Sequence, residues 1–255
     1  MIAAGLDPIG QFKIKKMAEL KIGNYDISFT NSSLMMVITV ALIALWLFLS
    51  TSKKSLVPGR AQSIAEISYE FVADMLRSSA GKEGMKFFPF VFALFIFILF
   101  ANLLGMIPFF FTTTSHIIVT LAMALMVFFL VIGYGVWKNG FGFLKLFWPS
   151  GVPIAVKPVV CLLEVISFFS RPLSHSIRLW ANVMAGHIML KVFAGFCIML
   201  VGAFGVVGGS LAGVLPFLMT FALTPLEFLV SFVQAYVFAL LTCIYLSDAL
   251  HPGHH

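Results

Sequence analysis

Residues 167–187 read SFFSRPLSHSIRLWANVMAGH, and apolar sequence flanks the stretch on both sides. Within it stand Arg171, His175, Arg178, Asn182 and His187. At about 100° of rotation per residue, Arg171, His175, Arg178 and Asn182 all fall within roughly 40° of Glu164 on a helical wheel. They form one polar face on a helix that is otherwise buried in apolar surroundings. His187 falls about 140° away and addresses a different environment. An arginine at the centre of a bilayer costs about 3 kcal/mol on insertion scales and more than ~10 in some simulations. This face therefore meets water, protein or an anionic partner, not lipid.

The rest of the chain supplies the hydrocarbon setting. Of 255 residues, 61% are hydrophobic and only 10% charged, which is too little polar surface to cover a soluble globule. The expectation is an all-α integral membrane protein forming a single membrane domain over 1–255. The net charge of +6 is scattered through short loops with no basic face alternating with aromatics, so it carries topology information and excludes nucleic-acid binding. Cys161, Cys197 and Cys243 sit in apolar runs without metal spacing and read as packing residues. Residues 1–31 hold Lys13, Lys15, Lys16 and Lys21 but no apolar run like a signal-peptide core, and they read as a surface arm.

About five transmembrane helices are expected, at 32–50, 87–111, 117–137, 159–201 and 216–247. The second is interrupted by Asn102, and a polar turn containing TTTSH follows it. Between Arg60 and Arg77, Gln62, Glu66, Glu70 and Asp74 face one way while Ile64, Ile67, Phe71 and Met75 face the other, which predicts an interfacial amphipathic helix over 60–80. The last two apolar regions are longer than the hydrocarbon is thick, so both must tilt steeply. The glycine-rich GAFGVVGGSLAG divides them into a hairpin. Lys53, Lys54, Arg60, Arg77, Lys82 and Lys86 in one loop, and Lys138, Lys145 and Lys157 in another, place those loops inside. The N-terminus is then outside and the C-terminus inside, although the lysines of the arm argue the other way.

That topology leaves Glu164 near the inner surface, Arg178 in the middle and His187 outward. Glu227 and Gln234, seven residues apart on one face of the last helix and preceded by Pro225, lie in the outer half and near the middle. Glu and His exchange protons near neutral pH when water reaches them, whereas Arg keeps its proton and cannot relay one. Two aqueous half-channels separated by a fixed cation cannot short-circuit. A proton could cross only by boarding a mobile carboxylate outside, travelling around, and leaving where the cation favours the ionised form.

SIRLWANVMAGH, followed by LEFLVSFVQAYVFALLTCIYLSD, resembles the membrane-embedded subunit a (subunit 6) of F-type ATP synthases. ISFTNSSL before the first span and FANLLGMIPFFFTTTSH across the second and third extend the resemblance over most of the chain. The family likeness implies a non-catalytic stator without cofactor, partnered by a ring of c subunits and b-type peripheral stalk subunits, which couples proton flow to ATP synthesis. It makes Arg178 the essential arginine facing the ring carboxylate. Glu164 becomes a lining residue of the inner half-channel, His187 and Glu227 of the outer one, and Asn182 and Gln234 polar neighbours of the arginine. His187 with Glu227 is similar to the mitochondrial and alphaproteobacterial branch, which implies a bacterial inner membrane or, alternatively, a mitochondrial one. His175, one turn before Arg178 where many relatives carry a small residue, is either part of the inner exit path or a hydrogen-bonded spacer.

Other residues admit plainer readings. Arg171 reads as a snorkelling anchor in preference to a second proton gate. Asn102 and His116 either line the outer vestibule or serve capping and inter-helix bonding. Asp248 with His251, His254 and His255 reads as a frayed polar terminus, not a metal tract. Gly186 and the hairpin glycines read as close-packing positions. A proton-coupled secondary transporter is the alternative function, but it calls for an internal repeat with paired broken helices, and a single glycine-rich hairpin stands here. An intramembrane hydrolase lacks HExxH and GxSxG. A haem-bearing respiratory subunit, with histidines as axial ligands, would be eliminated by purified protein without haem absorbance.

Overall fold

The computed structural model describes residues 10–19, 21–22, 25–26, 28–52, 58–107, 110–140, 142–143, 148, 153 and 156–250. The loop residues Lys53, Lys54 and Lys145, and the terminal His251, His254 and His255, lie outside them. Helix dominates, in the order α1 (Asn31–Ser52), α2 (Arg60–Gly84), α3 (Phe88–Gly105), α4 (Ile117–Asn139) and α5 (Lys157–Leu250). The helical runs Asn31–Ser52, Arg60–Gly105, Ile117–Asn139 and Lys157–Leu250 are each long and apolar enough to cross a membrane. The chain is an all-α, multi-pass integral membrane protein. Helices dominate for a physical reason: in lipid, each backbone N–H and C=O must be bonded within its own segment.

The N-terminal arm departs from a plain surface segment. After a 3-10 turn at Gly10–Phe12, it forms two antiparallel ladders: β1 (Lys16–Ala18) with β4 (Phe29–Thr30), and β2 (Lys21–Ile22) with β3 (Tyr25–Asp26). Thr30 caps α1 by accepting from the backbone N–H of Ser33 at 3.3 Å. Asn31 ties the arm down, since its Oδ1 accepts from Lys15 N at 3.1 Å and its Nδ2 donates to Lys13 O at 3.3 Å.

Two compact units follow from the packing. One gathers Met1–Val40, Leu99–His116 and Trp180–Gln234; the other gathers Ala41–Ile98, Ile117–Leu179 and Ala235–His255. In the second unit, Val72 and Leu76 of α2, Val91, Phe95 and Ile98 of α3, and Val127 of α4 are buried. The apolar stripe of α2 is only partly used there. Met75 is buried, whereas Ile64 and Ile67 stay exposed and Phe71 packs its ring 5.7 Å from Phe95 and 5.6 Å from Tyr236. Gly81, with φ at +67°, breaks the regular helix of α2 near its end.

The glycine-rich segment over 202–213 is helical, not an open loop, and only Gly205 leaves helical geometry, with φ +72° and ψ 178°. A single left-handed glycine suffices to reverse the chain because the glycines beyond it let the two arms touch. A β-carbon on Gly209 would lie 2.3 Å from the Cα of Val201, and one on Gly213 would lie 3.9 Å from the Cα of Cys197. The result is an antiparallel hairpin within α5.

Candidate functional site: two buried polar clusters and an exposed arginine

In the first unit, the hairpin of α5 brings His187 and Glu227 together. His187 Nδ1 stands 3.6 Å from Glu227 Oε1, and both side chains are about nine-tenths buried. Neither carboxyl oxygen of Glu227 has a hydrogen-bond donor among the described residues. A carboxyl group and an imidazole at this separation can exchange a proton after a small approach or through one water. Gly186 makes room for the carboxyl group, because a β-carbon there would lie 2.8 Å from Oε1. The other ring nitrogen, Nε2, lies 3.3 Å from the hydroxyl of Thr112, which also bonds the carbonyl of Gly105 at 3.2 Å. Phe12 of the arm approaches the His187 ring edge-on, with centroids 6.4 Å apart.

An open cavity of about 920 Å³ reaches His187 of this pair. Lys13, Lys15, Asn31, His187, Lys191 and Thr224 are among its lining residues. Asn102 does not join that lining. It is buried, donates from Nδ2 to the carbonyl of Ser231 at 3.4 Å and accepts from the hydroxyl of Thr114 at 2.8 Å, which is an inter-helix bonding role. His116, in the turn before α4, stacks on Phe111 at 5.2 Å, and burial pulls its imidazole below the ordinary titration range.

In the second unit, Arg171 is tied into the fold by an ion pair. Its Nη1 bonds Asp248 Oδ2 at 2.8 Å, the two side chains being 23% and 13% exposed. The guanidinium also sits 5.1 Å from the Tyr245 ring centroid and 5.7 Å from that of Phe168. Asp248 is thus an ordered helical residue and not part of a frayed end. The last turn is fastened further, because Lys138 donates to Leu250 O at 3.2 Å and Asn139 donates to Ala249 O at 2.7 Å, satisfying carbonyls left over at a helix C-terminus. Lys138 also pairs with Glu83 of α2.

His175 belongs to the same unit. Its ring lies 3.7 Å from that of Phe238 and 6.0 Å from that of Tyr245, and its Nε2 is buried without a partner among the described residues. A cavity of about 10 Å³, room for one water, is lined by His175, Arg171, Pro172, Tyr245 and apolar neighbours. Glu164 is half-buried and makes no hydrogen bond or ion pair among the described residues.

Arg178 differs from all of these. It is exposed and makes no hydrogen bond or ion pair among the described residues. Leu173 and Ile177 beside it on α5 are exposed too, as is Asn182 one turn on. Gln234 is buried, at 9% exposure. The structure therefore joins His187 with Glu227, keeps His175 with the Arg171–Asp248 pair, and leaves Arg178 and Asn182 on the surface. Sequence reasoning missed Thr112, Gly105 and the pairing of Asp248.

The chain's likenesses are uniform. Residues 33–247 match the family model described as ATP synthase A chain. The ATP synthase subunit a of Chelativorans sp. (strain BNC1) is 64% identical over 248 residues, covering 97% of this chain and 99% of the relative. That of Maricaulis maris (strain MCS10) is 59% identical over 258 residues, covering 98% and 100%. The subunit a of Mesorhizobium japonicum is 60% identical over 256 residues, covering the full length of both.

Proposed function

The chain belongs to the ATP synthase A chain family, the proton-translocating subunit of that enzyme's membrane sector, and from that premise we propose that it is the non-catalytic stator facing the rotating c-subunit ring. The observation that carries this reading is the state of Arg178. A guanidinium about 30 Å along the helix axis from Lys157, at about 1.5 Å per residue, lies on a surface flanked by exposed Leu173 and Ile177, and no carboxylate among the described residues pairs with it. Left to lipid, such a charge costs about 3 kcal/mol or more. A carboxylate carried past it by another subunit removes that cost and is itself held ionised.

The remaining groups take their roles around this cation. His187 and Glu227 line the outer aqueous half-channel, where a proton boards the ring. Glu164, with His175 near it in sequence, lines the inner half-channel, where the proton leaves. Asn182 and Gln234 are polar neighbours of the arginine. Because arginine cannot surrender its proton near neutral pH, it divides the two channels electrostatically. Residues 1–255 act as one membrane domain of a bacterial inner membrane, with the N-terminus outside, the C-terminus inside, and b-type peripheral stalk subunits holding it against the ring.

Replacing Arg178 tests the reading. Arg178→Ala should abolish proton-driven ATP synthesis in reconstituted complexes while ATP hydrolysis by the catalytic sector persists. Arg178→Lys should restore little, since an ammonium lacks the planar, permanently charged fork. Synthesis at near wild-type rate in Arg178→Ala would overturn the assignment.

A further inference from the structure

We propose that Thr112 is a positioning residue for proton transfer: it fixes the tautomer of His187 so that the bare Nδ1 faces Glu227. The inference rests on the reading of His187 and Glu227 as an outer proton path and adds a residue to it. The argument begins with the hydroxyl, which carries a single hydrogen. Thr112 Oγ1 lies 3.2 Å from Gly105 O, and a carbonyl can only accept, so that hydrogen is committed to Gly105. Toward His187 Nε2, at 3.3 Å, the threonine oxygen is then an acceptor, and Nε2 must carry the hydrogen. A neutral imidazole has only one N–H. Nδ1 is therefore the basic nitrogen, and it is the one that stands 3.6 Å from Glu227 Oε1.

The transfer is balanced within this pair. A proton on Glu227 Oε1 moves to Nδ1, giving a carboxylate and an imidazolium that keeps its Nε2–H, and the reverse step restores both neutral groups. No ring flip is required, because the hydrogen on Nε2 never takes part. Two glycines make the arrangement possible. A β-carbon on Gly105 would lie 2.6 Å from Thr112 Cγ2 and 2.8 Å from its Oγ1, and one on Gly186 would crowd Glu227. The other charged groups at the site are Lys191 on the same helix as His187 and Lys13 and Lys15 of the arm, all lining the open cavity. The segment 105–111 contributes none.

The experiment is ATP-driven proton pumping into inverted membrane vesicles carrying the complete synthase, expressed per assembled complex. Thr112→Val keeps the shape and removes the hydroxyl, and it should slow pumping roughly fivefold, the worth of one neutral hydrogen bond. Thr112→Ser should recover most of that loss, which a merely space-filling role would not predict. Gly105→Ala, which displaces the hydroxyl without removing it, should slow pumping comparably. His187→Asn and Glu227→Gln serve as references. If these two pump slowly while Thr112→Val pumps at the wild-type rate, or if Thr112→Ser is as slow as Thr112→Val, the role of Thr112 is overturned and the outer path stands. If both references pump at the wild-type rate, the outer path itself falls, and the inference with it.

Discussion

Oε1 of Glu227 stands 2.8 Å from the point where a β-carbon on residue 186 would lie, and residue 186 is glycine. The close approach of the hairpin arms is thus spent on admitting a carboxyl group, not only on helix packing. Gly186→Ala should push Glu227 away from His187, at an overpacking cost of about 1–3 kcal/mol. Proton pumping per assembled complex should fall by about tenfold to a hundredfold, since a misplacement of about 1 Å between reacting groups costs on that order. Pumping unchanged in Gly186→Ala would show that the carboxyl position has slack.

Glu227→Gln keeps the volume of the side chain but cannot carry a proton. Because neither carboxyl oxygen accepts a hydrogen bond from the described residues, little structure should be lost. The variant should assemble normally and pump slowly, as judged by subunit content and by vesicle acidification in the same membranes. An unchanged flux across a range of pH would remove Glu227 from the path.

How far the sequence led can be judged from these residues. The apolar runs spoke for helices because lipid leaves the backbone no other way to bond, and Arg178 stood out because an unneutralised cation is costly there. The pairing of His187 with Glu227 was less visible. The wheel set His187 apart from the arginine face, but only the register of the hairpin about Gly205 decides which residue of the returning arm meets it. The Arg171–Asp248 pair was not legible because Asp248 lies far along the chain near a polar end, and nothing in local periodicity links them. Thr112 was hidden in a run of threonines that reads as a polar turn. The ladders of the arm, two or three residues per strand, are too short to show an alternation.

Asn102 offers a structural contrast to the proton-path residues. It is 1% exposed and bonds both Ser231 O and Thr114 Oγ1. Thr114→Val leaves the Asn102 carboxamide oxygen without its donor and should destabilise the subunit by about 1–3 kcal/mol. Thermal melting of the purified complex in detergent should register the loss, with pumping per assembled complex little changed. A large pumping defect without a stability loss would place Asn102 on the proton path instead.

Arg171 and Asp248 lie at opposite ends of the α5 hairpin's chain and meet as a largely buried ion pair flanked by Tyr245 and Phe168. Such a pair contributes little net stability when intact, since removing both charges from water offsets their attraction, but removing one partner strands the other. Arg171→Leu alone should therefore destabilise by about 3–5 kcal/mol at full burial, and by less here because the arginine is 23% exposed. Asp248→Asn, which keeps a hydrogen-bond acceptor, should cost less than Arg171→Leu. The double variant Arg171→Leu with Asp248→Asn should recover much of the single loss, because neither charge is then stranded. Resistance of the subunit to detergent and heat in all three variants gives the coupling directly. Additive losses in the double variant would mean that the two side chains act independently, and that the last turn of α5 is held by Lys138 and Asn139 alone.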